Sequence, residues 1–213
     1  LDTAEVYDPQ TDGWQPLAKM TTARIALGLA AVRGKIYASG GSAESGGSAE
    51  LRLESVEAYD PQLGAWALVA SMSVRRSYHA SVVLDGKIYA MGGLDGDDDF
   101  LDTVEVYDPQ ADSWQRVASM PRGLYGHAAA AMDGKIYVTG GANQDDSANS
   151  VCVYDPQADA WTHLASMSTG RLHHASAAVG GKLYVFGGIG SEEDDEDFST
   201  AEVYDPASDS WAQ

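Results

Sequence analysis

A short phrase built on Tyr-Asp-Pro returns five times in this chain, at Tyr7, Tyr59, Tyr107, Tyr154 and Tyr204. A tryptophan follows each of these tyrosines by seven residues (Trp14, Trp66, Trp114, Trp161, Trp211), which accounts for all five tryptophans present. Met20, Met72, Met120 and Met167 follow the first four tryptophans by six residues. Gly-Lys dipeptides then open at Gly34, Gly86, Gly134 and Gly181, and glycine pairs at Gly40, Gly92, Gly140 and Gly187. None of these spacings varies. Self-similarity at a period near fifty residues means stacked modules, because one such unit cannot bury its apolar faces alone.

Each unit reads as four short strands. The first is a small apolar stretch such as Ala80-Ser81-Val82-Val83-Leu84, and Asp85-Gly86 or its counterpart makes the hairpin turn, since Asp-Gly suits positive φ. The second strand begins at the Gly-Lys lysine and ends at the glycine pair. The third ends at Asp-Pro, where proline presets a turn, and the fourth carries the tryptophan. No helical period competes over any long window.

These paired glycines, the Tyr and Trp between them and the period together resemble the Kelch repeat, over nearly the whole chain. The wording Asp-Pro…Trp…Met…Arg…His…Gly-Lys-Ile-Tyr…Gly-Gly is closest to the Kelch domains of adaptor proteins. The resemblance implies an all-β propeller of four-stranded antiparallel blades, stacked radially so that each blade's Tyr and Trp pack on its neighbour. Complete units are expected at 15–67, 68–115, 116–162 and 163–213, preceded by a half-blade at 1–14 that supplies only third and fourth strands. That unmatched half-blade leads us to expect an excerpt of a longer array of about five to seven blades. The alternative is a four-bladed ring with a spare hairpin.

A formal charge of −19 argues against nucleic acid and anionic membranes as partners and favours basic ones. No apolar run is long enough to span a bilayer as a helix. The first residue is not Met, which suggests an excised or processed N-terminus. One cysteine, Cys152 in an apolar stretch, reads as a small buried thiol. It favours a cytoplasmic setting, as does the want of a visible leader.

Successive connections in such a blade alternate between the faces of the disk. Length varies only from the second glycine to the next tyrosine, by 18, 14, 13 and 16 residues, so the face bearing these loops is the expected binding face. The loops are acidic. Asp97, Asp98 and Asp99 fall in one, and Glu193, Asp194 and Asp195 in another. They read either as a solvated charge run or as a rim for a basic partner. A calcium loop is disfavoured, because the pattern lacks the glycine and distal glutamate of an EF-hand.

By resemblance, Arg24, Arg76 and Arg171, four residues after the methionines, line the mouth of the central pocket and grip acidic peptide side chains. The third complete unit departs from this pattern, with Leu124 in the register and Arg122 two residues earlier. The competing reading pairs each arginine with a loop acid. Tyr78, Tyr125 and His173 would add flat contact surface at the same mouth. His79, His127 and His174 share a second register, with Leu27 in the remaining unit. Blade spacing holds three such imidazoles too far apart for one metal ion, so no metal or cofactor is expected.

The function expected is a non-enzymatic scaffold that binds a protein or peptide. Its partner would carry basic residues at the rim and acidic ones at the mouth. The alternative is a Kelch-fold enzyme such as a sialic-acid mutarotase, which needs only a few polar groups in the channel. A copper radical oxidase is disfavoured because Cys152 lies beside the repeat's structural tyrosine. Asp155, Asp159 and His163 imitate the spacing of an iron-dependent specifier protein, but the two aspartates belong to the Asp-Pro turn found in every unit.

Overall fold

The computed structural model describes residues 2–44, 50–144, 146–190 and 197–213, and among these the secondary structure is all β. Four antiparallel sheets of four strands each follow strict chain order. Blade one comprises Gly28–Val32, Lys35–Ser39, Val56–Asp60 and Ala65–Val69. Blade two comprises Ala80–Leu84, Lys87–Met91, Val104–Asp108 and Ser113–Val117. Blade three is built of Ala128–Met132, Lys135–Thr139, Val151–Asp155 and Ala160–Leu164. Blade four is built of Ala175–Val179, Lys182–Phe186, Ala201–Asp205 and Ser210–Ala212. A hairpin of Glu5–Asp8 and Gly13–Pro16 precedes them. The fourth strands of blades one to three end at 69, 117 and 164, two residues beyond the expected unit edges.

First strands of successive blades touch one another, which puts them at a common hub. The turns between first and second strands have positive φ at both central residues, 50° and 73° at Asp85-Gly86 and 52° and 74° at Asp133-Gly134. That geometry matches the twist of the flanking strands.

The seven-residue Tyr–Trp interval is a hairpin register. Tyr59 pairs with Trp66, Tyr107 with Trp114, Tyr154 with Trp161 and Tyr204 with Trp211. Their rings lie 5.0–5.3 Å apart, tilted. These tyrosines are buried, whereas Tyr7 and Trp14 of the hairpin are 42% and 67% exposed.

The tryptophans also latch blades together. Trp114 Nε1 donates to Ala70 O at 2.8 Å, while Asp112 Oδ1 accepts from Ala70 N at 2.9 Å and from Tyr107 OH at 2.7 Å. Asp159 and Trp161 hold Ala118 in the same way, and Asp209 and Trp211 hold Ala165. Both main-chain polar groups of one residue in the preceding linker are thereby satisfied. The latching aspartate sits at a φ of 45–47° (Asp112, Asp159, Asp209), and Gly64, φ 63°, replaces it in blade one. There Trp66 alone holds the linker, through Ala18 O.

Apolar clusters lie between sheets. Tyr37, Val56 and Ile88 join blades one and two, Tyr89, Val104 and Ile136 blades two and three, and Tyr137, Val153 and Leu183 blades three and four. The glycine pairs mark where neighbouring backbones meet. Gly41 N donates to Arg76 O at 2.8 Å and Gly93 N to Leu124 O at 2.8 Å. A Cβ on Gly40 would sit 2.4 Å from Arg76 O, which no side chain tolerates.

Candidate interaction face at the hub

The residue after each glycine pair bridges to the loop that enters its own blade from the preceding one: Ile25 to Ser42, Ser77 to Leu94, Tyr125 to Ala142 and Leu172 to Ile189. Variable loops and inter-blade loops therefore share one face. Nearer the axis the inter-blade loops are joined by their main chains. Tyr78 N donates to Ala26 O at 2.9 Å, Gly126 N to Tyr78 O at 3.0 Å and His173 N to Gly126 O at 2.7 Å. All four residues have positive φ, 51° to 61°.

This collar brings Tyr78, Tyr125 and His173 together. The Tyr78 ring is 6.3 Å from Tyr125, edge-on, and 5.6 Å from His173, with Tyr125 and His173 6.1 Å apart. Phe100, from the acidic loop of blade two, lies 5.7 Å from Tyr125, and the Arg52 guanidinium lies 5.9 Å from the Tyr78 ring centre. Both tyrosines are half-buried and His173 is exposed. Phe100 and Arg52 escaped the sequence reading, because their loops have no fixed spacing from the repeat.

Asp97, Asp98 and Asp99 are exposed at the rim of this cluster. Asp95 Oδ1 accepts from Asp97 N and Asp99 N at 2.9 and 3.0 Å, fixing the turn, and Asp98 pairs with Arg52. Glu193, Asp194 and Asp195 lie outside the described residues.

The arginines require a correction. Arg24, Arg76 and Arg171 are 2%, 0% and 0% exposed and do not line a mouth. Each pairs with a buried glutamate two residues before the blade's tyrosine, rather than with a loop acid: Arg24 with Glu57 (2.9 Å), Arg76 with Glu105 (3.0 Å) and Arg171 with Glu202 (3.3 Å). Each also donates to the carbonyl of the first glycine of its pair, at 2.7–2.8 Å. The other carboxylate oxygen accepts from the backbone N of Thr21, Ser73 or Ser168, the residue after the methionine. Burial alone would raise the Glu57 pKa, but the Thr21 amide and Arg24 outweigh it and hold the carboxyl below its usual range. Taking a guanidinium out of water demands partners, which strand geometry supplies to both Nη groups inside the blade, while each Nε is left without one.

Blade three replaces the whole device. Leu124 stands for the arginine, Cys152 for the glutamate, and Pro121, which has no N–H, for the residue whose amide the carboxylate would accept. This joint exception is the signal that could have revealed the pairing in the sequence. Arg122 is exposed and donates to Ser150 Oγ at 3.2 Å. Cys152 is buried, and burial pushes its thiol up to about 12.

The histidines sit between blades. His79 Nε2 shares a hydrogen bond with Ser39 Oγ (3.2 Å) and His174 Nε2 with Thr139 Oγ1 (2.8 Å), each hydroxyl belonging to the preceding blade. His127 faces Met91 in that role, and neither of its ring nitrogens reaches a hydrogen-bond partner. Burial pushes all three below the usual histidine range, His127 and His174 to about 4, so they are neutral at pH 7. Among the described residues no helix is long and apolar enough to cross a membrane.

Comparison with known proteins agrees with this architecture. Human Kelch-like protein 28 is 36% identical over 99 residues, covering 45% of this chain, and human Kelch-like protein 33 is 32% identical over 95 residues, also 45% of this chain. The match spans only 17% of the length of either relative. The structure titled "Structure of YjhT" superposes with a TM-score of 0.70 over 94% of this chain and 86% of that one, at 14% identity, which speaks for the fold alone. The family model of the Attractin/LZTR1 beta-propeller matches residues 2–213. The chain is a Kelch-repeat β-propeller and belongs to the Attractin/LZTR1 beta-propeller family.

Proposed function

We propose that this chain is a non-enzymatic scaffold that holds a partner protein or peptide on the face carrying the variable loops. The observation that carries this reading is the convergence of Tyr78, Tyr125, His173 and Phe100 inside a rim of exposed aspartates. Flat rings give large contact area at low entropic cost, and they attract cations over their faces. With a chain charge of −19, the fitting partner presents a basic segment with lysine or arginine near the aromatic centre. The recurrent histidines are buried and neutral rather than gathered in the channel, which supports binding over catalysis.

Selection of displayed peptides against the immobilised protein tests this. Enrichment of Lys- and Arg-containing peptides is expected, with affinity falling at least tenfold on Tyr78→Ala or Tyr125→Ala, the loss expected of aromatic anchors at an interface centre. Selected peptides that bind both variants as tightly as the parent would refute the assignment of this face.

A further inference from the structure

The exchange in blade three leaves a cleft of about 120 Å³ that contains Met120, Leu124 and Cys152 in its lining. In the other three blades the corresponding space is sealed by the arginine–glutamate pair. Its mouth carries Arg122, Ser150 and His163. His163 is directly across the strand pair from Cys152, so the two side chains stand on one face of the sheet. Arg122 and His163 are both exposed, and among the described residues neither forms an ion pair with a carboxylate. Elsewhere the chain covers most of its cations with acids, as in Lys35–Asp60, Arg75–Glu54 and Lys135–Asp155. In a chain of charge −19, a cationic mouth over an apolar slot is complementary to one kind of visitor.

We infer that this cleft is a side-chain pocket for an acidic–apolar segment of the partner, its apolar side chain entering between Met120, Leu124 and Cys152 and its carboxylate meeting Arg122 and His163. The inference rests on the scaffold reading and adds a second recognition point, chemically opposite to the aromatic centre. A guanidinium already oriented by Ser150 Oγ offers its remaining N–H groups to a carboxylate as charge-assisted bonds. The slot has room for one side chain, and none of the three sealed blades could admit it. Acid recognition, assigned in the sequence to the arginines now found buried, falls instead to the one blade that lacks the pair.

The test uses the protein labelled at its six methionine methyls, with the Met120 resonance as reporter. The probes are the capped dipeptides acetyl-Leu-Glu-amide, acetyl-Leu-Lys-amide and acetyl-Gly-Glu-amide. Acetyl-Leu-Glu-amide is expected to shift the Met120 signal saturably at about millimolar concentration, the other two at least about fivefold more weakly. Arg122→Gln and His163→Gln, both surface changes, should each weaken the effect by about three- to tenfold. Tyr78→Ala should leave it unchanged, which separates failure of this pocket from failure of the aromatic face. An unmoved Met120 signal, equal response to the lysine or glycine probe, or full affinity in Arg122→Gln would each overturn the inference.

Discussion

Removing Arg76 alone should cost far more than removing it together with Glu105. In Arg76→Leu the Glu105 carboxylate keeps only the Ser73 amide, at 2.8 Å, inside a site where its side chain is 1% exposed. Stranding one member of such a buried pair costs about 3–5 kcal/mol. The Gly92 and Thr103 carbonyls, at 2.7 and 3.1 Å from Nη1, also lose a donor, which puts the change toward the upper end of that range. Against a domain stability of about 5–15 kcal/mol this is a large fraction. The double change Arg76→Leu/Glu105→Cys installs the Leu124 and Cys152 pair of blade three without its Pro121. It removes both charges and leaves only hydrogen-bonding groups unmet, so a net cost of about 1–2 kcal/mol is expected. Urea unfolding at pH 7, with the slope checked for constancy, measures the four corners of this cycle. Glu105→Cys strands the guanidinium at a comparable cost, so a coupling of at least about 4 kcal/mol is expected, and one below about 0.5 kcal/mol would refute the argument that desolvation governs these pairs.

Further expectations follow from the blade contacts. His127 and His174, pushed to about 4 in the folded chain, bind fewer protons than their unfolded counterparts between pH 6.5 and 4, so stability should fall across that window on acidification. The loss between pH 7 and pH 4.5 is about 2 kcal/mol for each, readable from urea midpoints at those two pH values. His127→Leu should flatten this dependence and match or exceed the parent at pH 7, because its ring nitrogens have no partners and Leu27 already occupies the register. Asp112→Ala should destabilise by about 1–3 kcal/mol in the same assay, since it leaves the Ala70 amide and the Tyr107 hydroxyl unmet. Gly93→Ala should cost at least about 2 kcal/mol, as its Cβ would lie 2.4 Å from Ser77 O at a φ of 95°.

Blade architecture was legible in the sequence because every device that builds it recurs at a fixed interval. The Tyr–Trp register, the Asp-Gly turns and the close-packed glycine pairs are local consequences of strand and turn geometry. Their meaning needs no knowledge of what lies across the blade. The arginines were misread for the complementary reason. Their glutamates sit 29 to 33 residues away, on a strand whose alternation does not say whether a neighbouring sheet covers it, so charge alone suggested solvent. Tyr78, Tyr125 and His173 could be named from their register, but Phe100 and Arg52 arrive on loops of unequal length that only coordinates can place.

The collar at residues 26, 78, 126 and 173 uses main-chain atoms alone, and its backbone tolerates alanine, tyrosine, glycine and histidine in turn. Left-handed φ costs a non-glycine residue about 1 kcal/mol, a sum that depends little on which side chain is carried. Structural duty and chemical identity are thus uncoupled at the ring of positions nearest the axis. Exchanging those few letters changes the side chains shown on that face while the hub that holds the blades together stays the same.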